Sequence, residues 1–183
     1  MPLIDLDHKS TSELMSLFST LEAPSIEEMN GEYAARMLSQ RNVLVGTLSG
    51  LMLSNPLRTW QCKAFRPVNH ETGRGYNTFI QGRKLIQCYP MMTLIAPSRF
   101  DGRPAYQLIY RQFHSVCGTI HMIDEVRRYK TGIYIGVGTL GFTSAQRSEP
   151  YPFLLEGPAA PYRGDIGIVR KNFKTGPREL PID

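Results

Sequence analysis

The chain has 183 residues, 42% of them hydrophobic and 20% charged, with a net charge of +5 and three cysteines. Such a composition belongs to a globular domain with enough apolar surface to build one core, and its length leaves little room for a second. Cys62, Cys88 and Cys117 are too few, too far apart and odd in number for a disulfide framework or a C-x-x-C metal or redox site, and Lys and Arg are dispersed except in "RKNFK" at 170 to 174, which argues against nucleic-acid binding.

The opening residues "MPLIDLDHKS" lack a basic flank and an apolar h-region, so no signal peptide is expected and a cytoplasmic location is the default. Ser10 with Glu13 three residues later has the form of a capping box, and Leu14, Leu17, Phe18 and Leu21 follow at helical spacing before Pro24, predicting a short amphipathic helix. "GEYAARMLS" (31 to 39) reads as a strand. "RNVLVGTLSGLML" (41 to 53) places Leu44, Leu48, Leu51 and Met52 on one face and predicts a second helix, although Gly46 and Gly50 weaken it and also deny it the length of uninterrupted apolar chain a membrane span needs.

From residue 57 the pattern changes to short β-rich runs near 58 to 67, 75 to 82, 84 to 96, 104 to 112, 118 to 129, 132 to 142 and 151 to 156. "NHETGRG", "QGR", "RFDGRP" and "YKTG" between them are hairpin turns. Eight antiparallel strands in meander order close most readily into an up-and-down barrel, which removes exposed edges and leaves room inside for one small ligand. The expected organisation is one domain, 1 to 183: a helical part over 10 to 55, a barrel over about 29 to 156, and a proline-rich extended tail from 157 that wraps the barrel or is partly mobile.

In "MNGEYAARML", "WQCKAFRP", "SRFDGRPAYQLIY" and "DEVRRYKTGIYIGVGT" the chain resembles the calycin-type small barrels, of which lipocalins are the best-known form, and more loosely a bacterial and fungal family of unknown function named for a GxWxG motif. It departs from that motif, because Gly31 is followed by Glu32 and Tyr33. The resemblance implies a mainly β, eight-stranded lipocalin-like barrel with an internal pocket and transfers no catalytic residue.

Alternation along 119 to 127 sets His121, Glu125 and Arg127 on one strand face and Ile120, Met122, Asp124 and Val126 on the other. If the polar face is inward, Glu125 or His121 can move a proton while Arg127 and a tyrosine such as Tyr110 hold a substrate oxygen. If it is outward, the row is an ordinary cross-strand charge ladder and a passive carrier becomes the better hypothesis. Tyr134, Gly136 and Gly138 share a face of the next strand, where the two glycines either bend the barrel or admit a ligand to the backbone. Trp60, alternating with Cys62 and Ala64, reads as a cavity wall, joined by Tyr76, Tyr106 and Tyr110. His8, His70, His114 and His121 show no metal-ligand spacing, and "FHSVC" is a poor Cys-His dyad because strand neighbours point apart. The expectation is therefore a small apolar or aromatic ligand, no cofactor and no metal. The fitting functions are a cofactor-independent isomerase, cyclase or lyase, or a carrier using the same cavity; a homodimer is left open.

Overall fold

The structure is a computed structural model that describes residues 4 to 38 and 58 to 180. The helix expected over 41 to 53 lies outside the described residues. Eight antiparallel strands form a closed barrel in chain order, β1 (Gly31–Met37), β2 (Thr59–Pro67), β3 (Thr72–Gln81), β4 (Lys84–Pro97), β5 (Pro104–Ile109), β6 (Ile123–Lys130), β7 (Ile133–Thr139) and β8 (Tyr151–Ala160). β8 closes the barrel by pairing with β1. The fold is the expected mainly β, lipocalin-like one. Among the described residues, no helix is long and apolar enough to cross a membrane.

Short helices decorate the barrel: α1 (Ile4–Asp7), α2 (Thr11–Phe18), α3 (Val116–Thr119) and α4 (Ser144–Arg147). Ser10 caps α2 as its sequence predicts, its hydroxyl accepting from the Glu13 amide while the Glu13 carboxylate accepts from the Ser10 amide. Leu14 and Phe18 of α2, with Leu6, bury themselves against Ile135, Val137 and Leu154 on the outer face of β7 and β8. These residues alternate with the inward ones, so both faces of this part of the sheet are apolar.

One stretch is not the strand its sequence implies. Residues 110 to 112 form a 3-10 turn, 116 to 119 form α3, and β6 begins only at Ile123. His121 sits in the intervening turn with φ of 53°, where it cannot continue a ladder.

The barrel interior has two halves. At one end Tyr33, Phe65, Tyr106, Tyr134 and Leu155 pack with Ile26 and Met29, which arrive from the segment between α2 and β1 and plug that end. Tyr33 and Tyr134 donate their hydroxyls to Glu28 of the plug, at 3.0 Å to its carbonyl and 2.9 Å to its carboxylate. The other half is incompletely filled. Outside, the proline-rich tail wraps the barrel beyond β8: Asp165 accepts from Arg66 at 2.8 and 2.6 Å, and the Ile166 carbonyl from Arg74 at 2.9 Å.

Candidate functional site: a polar floor in an aromatic cavity

Two irregularities decide which side chains enter the open half. In β2, Trp60 pairs with Phe79 but Cys62 pairs with Thr78, so Gln61 is an extra residue. This bulge reverses the alternation, turning Lys63 and Phe65 inward with Trp60 and leaving Cys62 and Ala64 on the other side, contrary to the simple alternation expected for 60, 62 and 64. In β4 the register slips opposite Gly75 and Asn77, and Tyr89, at φ of 55°, turns into the cavity.

The cavity is walled by Trp60, Phe79, Tyr89, Tyr151 and Phe153, with Met37, Met122 and Leu140 completing the apolar lining. Its free volume is about 30 Å³. Its polar floor consists of Lys63, Asn77, Tyr110 and Asp124, none more than 3% exposed. Lys63 Nζ donates to Asp124 Oδ2 at 2.6 Å, to the Tyr110 hydroxyl at 2.6 Å and to Asn77 Oδ1 at 3.0 Å. The Tyr110 hydroxyl donates to the same Asp124 Oδ2 at 2.8 Å, and Asn77 Nδ2 donates to Tyr110 at 3.3 Å. Trp60 Nε1 donates to Asn77 Oδ1 at 3.2 Å.

The ammonium also lies 5.2 Å from the Trp60 and Phe153 ring centres and 5.4 Å from that of Tyr110, within cation–π range. Asp124 Oδ1 is buried with no hydrogen-bond partner. Burial, reinforced by the Asp124 carboxylate, holds the Tyr110 phenol well above its ordinary pKa, so it stays a neutral donor.

Of the residues singled out in the sequence, Trp60, Tyr110 and Gly138 line this cavity. Gly136 is inward but its space is taken, because a Cβ there would lie 2.1 Å from the Phe153 ring. Tyr106 and Tyr134 belong to the packed half, Tyr106 donating to Thr93 at 2.8 Å. Tyr76 is on the outer face, donating to Glu32 at 2.9 Å and lying 4.8 Å from the ring of Tyr162, and burial raises its phenol to about 12.

The geometry corrects the inward placement of His121, Glu125 and Arg127. Each points away from the cavity, since Asp124 and Val126 hold the inward positions of β6. Arg127 lies beneath α2, its guanidinium clasping both oxygens of Asp101 at 2.6 and 2.7 Å and donating to the carbonyls of Phe18, Arg103 and Pro104 at 2.9, 3.0 and 3.1 Å. His121 lies between Arg111, 3.1 Å from Nε2, and Glu179 of the tail, 3.4 Å from Nδ1. Burial and Arg111 lower its pKa against the pull of Glu179, favouring the neutral ring.

Glu125 is buried under the 98 to 104 turn, with Oε1 accepting from the Arg99 amide at 2.8 Å and Oε2 without a partner. Burial raises its pKa, outweighing Ser98, the Arg99 amide and Gln107. The outward charges are thus not a solvated ladder; they are covered by chain. No cluster of three or more His, Cys, Asp or Glu that could hold a metal occurs among the described residues.

Lys63, Asn77 and Asp124 are the polar floor residues that the sequence does not single out. Asp124 was visible only as one acid in an apolar stripe, and Lys63 is hidden by a bulge that the sequence does not announce.

No family model matches the chain, and no curated protein does. Among solved structures the chain is similar to a protein from Thermomonospora curvata, with 15% identity and a TM-score of 0.51 over 84% of this chain and 91% of that one. A likeness at this identity concerns the fold alone.

Proposed function

We propose that this chain is a calycin-type small-molecule-binding barrel whose open half receives a compact apolar or aromatic ligand. The observation that carries the reading is the buried Lys63–Asp124 pair, 2.6 Å apart, at the floor of an aromatic-walled cavity. Two charges taken out of water cost several kcal/mol each, and well-packed apolar residues in their place are commonly as stable or more so. The other half of this barrel packs with aromatic and aliphatic side chains, so the fold itself has no need of the pair. An apolar pocket with a few converging polar groups is the usual form of a ligand site.

A second reading, a cofactor-independent isomerase, cyclase or lyase, is favoured by one feature. The Tyr110 hydroxyl touches both Lys63 at 2.6 Å and Asp124 at 2.8 Å, a continuous path along which a proton can pass. In that reading Asp124 takes the acid/base part expected of Glu125 and His121.

Native mass spectrometry of protein purified from its source tests the first reading by detecting a retained small molecule. Incubating that molecule with wild-type protein and with Tyr110→Phe separates the two. A molecule recovered with unchanged mass, retention time and NMR spectrum from both proteins supports binding alone, and a product, isomeric or not, formed only by the wild type supports the enzyme. Failure to find any retained molecule, together with no response of the cavity to added small aromatics, would overturn both.

A further inference from the structure

The hydrogen-bond inventory of the floor restricts what the cavity accepts, on the reading that it binds a small molecule. All three Lys63 protons are committed, to Asp124, Tyr110 and Asn77. The Tyr110 proton goes to Asp124, and the Asn77 amide donates to Tyr110 and to the Tyr89 carbonyl, the latter at 3.4 Å. Trp60 Nε1 is spent on Asn77. No donor of the floor remains for a ligand. One acceptor does, Asp124 Oδ1, which is buried and unpaired.

That oxygen lies beside Gly138, where a Cβ would approach it to 3.0 Å, and both residues line the cavity. Leaving such an acceptor unmet costs about 1–3 kcal/mol, more for a charged group, so a molecule that donates to it recovers free energy that an apolar one does not. At the floor an anion would meet a carboxylate and no uncommitted donor. A cation would meet Lys63, which already occupies the faces of Trp60, Phe153 and Tyr110.

Size narrows the class again. The free volume is about 30 Å³, below the ~150 Å³ of a cavity that takes a benzene ring, so a single ring is the upper limit and enters only as the aromatic walls shift.

We infer that the cavity selects a neutral, single-ring aromatic molecule carrying an O–H or N–H, which it donates to Asp124 Oδ1, and that it rejects carboxylates and other anions. The chain's one tryptophan is Trp60, in the cavity wall, so its emission reports on this site alone.

Phenol, toluene and benzoate are the probes, titrated against the full chain with Trp60 emission and calorimetry as readouts. Phenol is expected to bind at least ~10-fold tighter than toluene, equivalent to ~1.4 kcal/mol, with benzoate weaker than both. In Lys63→Met/Asp124→Leu, which removes the acceptor with the pair, the phenol preference is expected to disappear while toluene binding persists. Should that variant not fold, Gly138→Ala asks the same question by setting a methyl against Oδ1, and should lower phenol affinity more than toluene affinity.

Toluene or benzoate binding as tightly as phenol would overturn this selectivity while leaving a ligand-binding barrel intact. Retention of the phenol preference in the variants would overturn Asp124 as its source. No binding of any of the three would overturn both the selectivity and the binding reading.

Discussion

β6 carries two buried, ion-paired charges on opposite faces, Asp124 and Arg127, and they are held differently. Asp124 faces the cavity and pairs with Lys63, whose hydrogen bonds all go to other side chains of the floor. Arg127, three residues on, faces outward, and besides Asp101 it holds the main-chain carbonyls of Phe18, Arg103 and Pro104. The inner pair therefore answers only to its own cluster, whereas the outer one ties α2 and the turn between β4 and β5 to the barrel. Burial of charge alone does not distinguish a binding site from a clamp. What the charge is bonded to does.

Unfolding free energies test this difference most sharply. Arg127→Met is expected to cost ~3–5 kcal/mol, because Asp101 and three carbonyls each lose a charge-assisted hydrogen bond at once. Adding Asp101→Asn should recover little, since none of the lost bonds to the carbonyls returns and Asp101 is partly open to solvent. Lys63→Met alone is expected to cost a similar ~3–5 kcal/mol by stranding Asp124, but adding Asp124→Asn should recover most of it. Equal recovery in the two double variants, measured by denaturant titration, would erase the distinction.

The same contrast explains how much of the molecule its sequence discloses. Strand count and meander order are legible because hairpin turns and period-2 runs are local signals, and the Ser10–Glu13 cap is equally local. The inward face of β7 is legible too, because Tyr134, Gly136 and Gly138 sit on an unbroken strand.

Lys63 is not legible. One extra residue at Gln61 flips every side chain after it, and nothing in "WQCKAF" marks the bulge. Arg127 and Glu125 mislead for another reason. Ionisable groups on one strand face read as either solvent-facing or site-facing, while here α2 and the 98 to 104 turn return to cover them. That cover depends on contacts with residues distant in the chain, which periodicity along one strand cannot express.

A mid-sized effect probes the boundary between the packed and open halves of the barrel. Gly136 pairs across strands with Phe153, whose ring fills the place of the missing side chain. Gly136→Ala should cost about 1–3 kcal/mol by displacing that ring. Because Phe153 also walls the cavity, ligand response should change with it. A neutral substitution in thermal unfolding would mean that the ring is free to move aside.

On the outer face, Ser10→Ala removes the hydroxyl half of the capping box, leaving the Glu13 carboxylate on the residue-10 amide, and should cost ~1 kcal/mol, read as a lowered unfolding midpoint. This loss should be independent of the Lys63–Asp124 pair, because α2 packs on the outside of the barrel, over β7, β8 and Arg127 of β6. Coupling between Ser10→Ala and Lys63→Met/Asp124→Asn would show that the two faces of the sheet are not energetically separate.

The smallest expected effect concerns Glu125 and depends on pH. Its Oε2 and the Oε1 of its cross-strand neighbour Gln107 are both buried acceptors without donors, and protonating the carboxyl turns one of them into a donor. Burial raises the pKa in the folded chain, so the proton is held more tightly folded than unfolded. The stability this contributes is complete below the unfolded value and is lost as pH rises through the folded one. Glu125→Gln keeps the side chain neutral throughout. It should match the wild type in acid and exceed it increasingly as pH climbs toward neutrality, whereas parallel melting profiles of the two proteins would mean that Glu125 ionises as easily folded as unfolded. Such a gain would also place Glu125 with Arg127 among the residues that hold covering chain to the barrel, since the substitution leaves the cavity floor untouched.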